Sequence, residues 1–152
     1  MSEDNNTLIR RWFEEVWNKG RAEAIDELFA ADGVAHGLAD AAGGELRGPA
    51  DFKIFHQRFR DSFPDFEVVV EDTISEGDRV AARCTVRGRH QGDALGFGAT
   101  GQQVEFGGIC IVRVSQGQIV EAWNNFDFMS MYQQLGALRL HTPGTEGIIG
   151  DM

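Results

Sequence analysis

At Pro64 the apolar period of this chain changes. Before it, hydrophobic residues recur at helical spacing: Leu8, Ile9, Trp12, Phe13, Val16 and Trp17, then Ala24, Ile25, Leu28 and Phe29, then Phe52, Phe55, Phe59 and Phe63. After it they alternate, with Phe66, Val68 and Val70 set against Glu67, Val69 and Glu71. A 3.6-residue period followed by a 2-residue period predicts helices first and strands afterwards, an α+β plan in which helices cover one face of a sheet. Asn6 and Gly20 bracket the first helix, the second runs near Arg21 to Ala30, and Gly48-Pro49 opens a third that Pro64 ends. "GVAHGL" reads as a short extended piece between them, followed by a glycine-rich loop.

The second half reads as four antiparallel strands. "SEGD" turns the first into "RVAARCTVRGRH", a loop at Gln91 to Gln102 leads to "VEFGGICIVRV", and "SQGQ" turns that strand into "IVEAWNNF". A tight first turn sets Glu71 against Arg83 and Glu67 against Arg87, and the next connection sets Glu105 against Arg89. Such opposite-charge pairs contribute roughly 0.2 to 1 kcal/mol each and mark the solvent face. The other face then carries Val68, Val70, Ala82, Cys84, Val86, Gly88, His90, Phe106, Gly108, Cys110 and Val112, and from the last strand Trp123, Asn125 and Asp127. Small residues beneath a bent sheet leave a hollow opposite the aromatic helices, so the last strand is expected to line a pocket. Ile109, Ile111, Val120, Ala122 and Phe126 fall on the outer face, and this aliphatic stripe predicts a homodimer.

At 152 residues the chain is expected to form one domain, with a core over about residues 7–138 and an irregular tail over 139–152. A net charge of −10 argues against nucleic-acid partners, which require a basic face. No apolar run has the length of a membrane span, and "MSEDNN" is not a signal peptide, so a cytoplasmic protein is expected. Cys84 and Cys110 are too few for a disulfide framework and read as buried thiols. "GFGATG" matches a dinucleotide fingerprint in letters, yet it leads into a strand rather than a helix, and the four histidines are scattered without metal-ligand spacing. No cofactor and no metal are expected.

Asp127 carries the most chemistry in this reading. It caps the short helix of "DFMSMYQQLG", and it also ends the last strand, where an acid could serve as a base; the two roles are compatible. Asn125 and His36 are candidates to hydrogen-bond a substrate oxygen. Trp123, His90, His56, Phe55, Phe59, Trp17, Phe106 and Cys110 are candidate pocket walls, although each histidine also reads as a structural residue.

The series "FPD…EGDRV…RHQG…GQIVEAW…D…QQLG", with "FKIFHQRFRDSFPDFEVVVEDTISEGDRVAARCTVRGRHQG" and "GICIVRVSQGQIVEAWNNFD" around it, resembles the SnoaL-like polyketide cyclases of the nuclear transport factor 2-like superfamily over residues 7–138. That resemblance implies a cone-shaped α+β barrel, a curved antiparallel sheet wrapped around three N-terminal helices with an internal pocket. It implies a cofactor-independent lyase or isomerase that closes a ring by aldol-like acid–base chemistry on a small apolar carbonyl compound. Asp127 matches the family's acid at the end of the last strand, and His36 matches a histidine of relatives. Departures from the family are Cys84 where many members have Trp, and Asn124 where many have Asp. With Tyr132 as the single tyrosine and Asn125 where a strand acid would stand, the oxyanion hole of ketosteroid isomerases and the acid arrangement of epoxide hydrolases are not matched. A non-catalytic small-molecule binding module and a hydratase or epoxide-hydrolase-like enzyme are the alternatives on the same fold.

Overall fold

The computed structural model describes residues 4–38 and 44–138, so the expected tail over 139–152 lies outside the described residues. The elements are α1 (Asn5–Trp12), continued by a wider helical segment at Phe13–Asn18, α2 (Glu23–Leu28), β1 (Phe29–His36), β2 (Leu46–Arg47), α3 (Gly48–Ser62), β3 (Glu67–Glu76), β4 (Arg79–Arg89), β5 (Gln103–Ser115), β6 (Gln118–Phe126) and α4 (Phe128–Gln134). Asp4, rather than Asn6, caps α1: its Oδ1 accepts the Thr7 N–H at 2.8 Å. None of the described helices is long and apolar enough to cross a membrane.

The wider segment leaves carbonyls that the helix does not satisfy, and α3 supplies donors to them. His56 Nε2 donates to the Val16 carbonyl at 2.7 Å, and Arg60 Nη1 donates to the Trp17 carbonyl at 3.0 Å. Asn18 then clasps the first residues of the sheet. Its Nδ2 donates to the Val68 carbonyl at 2.9 Å, and its Oδ1 accepts the Val68 N–H at 2.6 Å. His56 is therefore a buried staple between helices, stacked edge-on against Trp17, and not the pocket wall expected from sequence.

The six strands are ordered β2-β1-β6-β5-β4-β3, and the two outer strands do not pair with each other, so the sheet stays open. It is mixed, not purely antiparallel: β1 runs parallel to β6, with His36 beside Trp123, while all other neighbours are antiparallel. Helical spacing carried Phe29 into the second helix on paper, but the chain leaves helix at Leu28 and crosses straight into a strand. The core is the space between the helices and the inner sheet face, filled by Leu8, Ile9, Ile25, Phe29, Phe63 and Ile119 among others, all nearly inaccessible.

Two bulges modify the expected register. Glu71 is an extra residue between Val70, opposite Cys84, and Asp72, opposite Arg83. Arg83 thus pairs with Asp72, and Glu71 accepts the Thr85 hydroxyl hydrogen instead. Glu67 does pair with Arg87, whereas Glu105 also meets Arg87 and not Arg89. All of these pairs are exposed and add little stability.

Candidate functional site

Between the helices and the inner sheet face lies a narrow cavity of about 60 Å³. Trp12, Trp17, Phe29 and Phe52 form its deep end, and the half-buried Leu38, Phe55, Asn124, Phe126 and Phe128 form its mouth. Helical spacing stacks these rings in one layer: Phe52 meets Trp12 at 5.0 Å and Phe29 at 5.5 Å between centroids, and Phe55 meets Phe59 at 4.8 Å. Trp17, Phe55, Phe59, Phe106 and Cys110 line the space, while His56, His90 and Trp123 do not.

The last strand presents the opposite face to the one its alternation predicts. From the turn, Ser115 pairs with Gln118 and Val114 with Ile119, but Arg113 pairs with Glu121, leaving Val120 as an extra residue. Buried Ile119 keeps the expected side, and past the bulge the inner positions become Ala122, Asn124 and Phe126, opposite Val112, Cys110 and Gly108. A one-residue slip moves every later side chain across the sheet. Trp123 and Asn125 consequently face outward, which corrects their expected placement in the pocket. Ala122 and Phe126 leave the expected outer stripe for the same reason.

On the outer side Trp123 lies between the His36 ring, 5.8 Å away and nearly parallel, and the Arg79 guanidinium at 5.5 Å. His36 is held by two carboxylates, Glu45 at 2.8 Å from Nδ1 and Glu121 at 2.7 Å from Nε2. The His36 hydrogen bond, and after it that of Arg113, hold the Glu121 carboxyl below the usual range. Asn125 is exposed opposite Ile109. Asp127 is exposed at the start of α4, where its side chain accepts the Ser130 N–H at 3.0 Å. Asp127, Asn125 and His36 therefore do not converge on the cavity.

The polar side chain that does face the cavity is Asn124, which sequence alternation alone assigned to the other side. Its Nδ2 donates to the His36 carbonyl at 2.9 Å. Gly37 makes this approach feasible: with φ of +86°, a Cβ there would lie 2.1 Å from the Asn124 carbonyl oxygen. Gly108 makes room in the same way for the Phe126 ring, whose nearest atom would lie 2.1 Å from an added Cβ. The signal that could have marked Asn124 was its replacement of a common family acid. Among the described residues no group of three or more His, Cys, Asp or Glu side chains is arranged to hold a metal ion.

His90 is fully buried beside Phe63 and Phe97. Its Nδ1 accepts the Thr100 N–H at 3.0 Å, and its Nε2 has no partner among the described residues. Burial lowers the pKa of both His90 and His56. The unfolded chain then binds more protons below the ordinary imidazole value of about 6.5, and stability rises with pH in that window. The contribution is present above about pH 6.5 and is lost as the pH falls through the lowered folded values. Thermal midpoints should therefore drop between pH 7.5 and 5.5, before most carboxylates titrate, and His90→Gln should shrink the drop. A midpoint unchanged across that interval would contradict the neutral, buried state of both rings.

The sequence profile of the SnoaL-like polyketide cyclase family matches residues 7–135. Two relatives, the aklanonic acid methyl ester cyclases DnrD of Streptomyces peucetius and DauD of Streptomyces sp. (strain C5), are each 28% identical over 130 residues; these cover 85% of this chain and 88% and 80% of theirs. Wild-type IdmH from Streptomyces antibioticus superposes with a TM-score of 0.76 at 33% identity, covering 88% of this chain and 99% of that one. TsrD from Streptomyces laurentii superposes with a TM-score of 0.76 at 25% identity, covering 90% and 100%.

Proposed function

Because the chain belongs to the SnoaL-like polyketide cyclase family, we propose that its cavity takes up and orients an uncharged polyketide-type carbonyl compound, and that the protein acts by binding rather than through a side-chain base in the cavity wall. The observation that carries this reading is the chemistry of the wall. The described residues that line it include no carboxylate, imidazole or amine, and its one titratable group is the Cys110 thiol, which burial pushes up to about 12. A charged ligand would lose its hydration there without a counter-charge. A methyl ester, the group for which the relatives DnrD and DauD are named, carries no such charge. A general base must sit within hydrogen-bond reach of the proton it removes, and Asp127 is occupied as an exposed helix cap. Ring closure inside this cavity would draw on confinement and alignment of the chain.

The test is Asp127→Asn, assayed with aklanonic acid methyl ester. Asn caps a helix about as well as Asp, so stability should hold. Affinity and any product formation should stay within about twofold, whereas removing a general base lowers turnover by roughly 10² to 10⁴. A loss of that size would overturn the binding reading and restore the acid–base cyclase.

We also infer self-association through the outer sheet face. Ile74, Ala81, Ile111, Trp123 and His36 are successive register partners across β3, β4, β5, β6 and β1, and Ile74 and Ile111 are 74% and 41% exposed. Light scattering at micromolar concentration should give twice the chain mass; the mass of one chain would end this inference.

A further inference from the structure

We infer that the molecule bound in this cavity presents a hydroxyl hydrogen, phenolic or enolic, to Asn124 Oδ1. The inference rests on the cavity being a binding site, as proposed above, and concerns which ligands it selects. It follows from the way the Asn124 amide is held. A backbone carbonyl can only accept a hydrogen bond, so the end of the amide facing the His36 carbonyl, 2.9 Å away, must be the nitrogen. The oxygen is thereby the other end; no hydrogen bond from another described residue reaches it, and at this half-buried side chain it is open to water rather than a buried orphan. The nitrogen keeps a second N–H, but the oxygen is the atom that receives no bond from the described residues.

The orientation is enforced from several directions. The bulge at Val120 turns position 124 inward. Gly37, with φ of +86° and no side chain, lies against the Asn124 backbone where any Cβ would collide. The opposing residue on β5 is Cys110, whose thiol burial keeps un-ionised, and the rest of the wall is hydrocarbon and aromatic. An acceptor at the mouth of an otherwise apolar cavity discriminates by what it is left without. A ligand that covers Oδ1 but brings no donor strands a carbonyl that had been solvated, whereas a hydroxyl at the same place replaces the lost water. An aspartate at this position could remove a proton. Asn124 cannot, so here the same position selects a ligand and holds it by its O–H.

The experiment is an NMR titration of the ¹⁵N-labelled full chain with three small arenes: phenol, its methyl ether anisole, and toluene. Phenol should bind roughly tenfold more tightly than the other two and should shift the Asn124 side-chain NH₂ signals. In Asn124→Leu the preference should vanish while toluene binds no more weakly, and in Asn124→Asp, which retains an acceptor, phenol should remain preferred. Arenes that bind with equal affinity, or a preference that survives Asn124→Leu, would overturn the donor inference and leave the cavity reading standing. If no arene binds the wild-type protein, both fall together. If Asn124→Leu does not fold, the wild-type ranking of phenol over anisole decides the matter, because those two probes differ at the hydrogen in question.

Discussion

Gly37→Ala should lower the thermal midpoint by roughly 4 to 20 °C, and Gly77→Ala by less, roughly 2 to 8 °C, although both glycines have positive φ. Gly77 lies at φ +60° with nothing within 4 Å of an added Cβ, so its substitution pays only the left-handed backbone cost of roughly 1 to 2 kcal/mol. Gly37 carries that cost at φ +86° and a collision as well, because the added Cβ would sit 2.1 Å from the Asn124 carbonyl oxygen. Backbone cannot swing aside as a flexible side chain can. Opening the β1–β6 pair to admit a methyl adds roughly 1 to 3 kcal/mol, as overpacking does elsewhere, for a total of about 2 to 5 kcal/mol. A domain of this length loses about 2 to 4 °C per kcal/mol. The functional consequence is specific, since the strand that must move carries the His36 carbonyl to which Asn124 is anchored. Differential scanning calorimetry of the two variants side by side checks the claim. Equal drops for Gly37→Ala and Gly77→Ala would show that close approach at Gly37 decides nothing.

The periodicities were the legible part of this fold. Leu8, Ile9, Trp12, Val16 and Trp17 announce an apolar helix face, Phe52 and Phe59 another, and all seven are buried together. The β4 and β5 alternation was equally readable: Ala82, Cys84, Val86, Phe106, Cys110 and Val112 face inward as expected. What could not be read was parity beyond a bulge. Nothing in "QGQIVEAW" marks Val120 as the residue that drops out of the ladder, yet that residue decides whether Trp123 or Asn124 faces the cavity. Glu71 repeats the lesson on β3, where Arg83 takes Asp72 as its partner. Local charge pairing was a poor guide to register for a physical reason: exposed pairs are worth so little that Arg87 can share Glu67 and Glu105 while Arg89 bonds the Gly101 carbonyl. The last strand was misread at its bulge, whereas the apolar faces of the helices, which set the aromatic layer, were legible from their spacing.

That wall makes the other large effect, expected for Phe52→Ala. Phe52 is 3% exposed and its ring touches Trp12, Trp17, Phe29 and Phe55, the centre of the aromatic layer. Truncating a buried phenylalanine costs about 3 to 5 kcal/mol, the transfer free energy of the ring together with the void left behind, because such a site relaxes only in part. At 2 to 4 °C per kcal/mol the midpoint should fall by roughly 6 to 20 °C. Here the void is not isolated: Phe52 lines the cavity, so its removal enlarges the space that the native rings leave at about 60 Å³. An arene that binds the folded state alone stabilises it by about 2.7 kcal/mol at a hundredfold excess over its dissociation constant. Toluene should therefore raise the midpoint of Phe52→Ala more than that of the wild type, recovering part of the loss. The neighbouring Ile54, on the same helix but 71% exposed, supplies the control, since Ile54→Ala removes no wall and should neither destabilise strongly nor gain a response to toluene. A Phe52→Ala midpoint within 2 °C or so of wild type would mean that the aromatic layer is not the core of the fold, and a toluene response no larger than that of Ile54→Ala would mean that it is not the wall of a binding cavity.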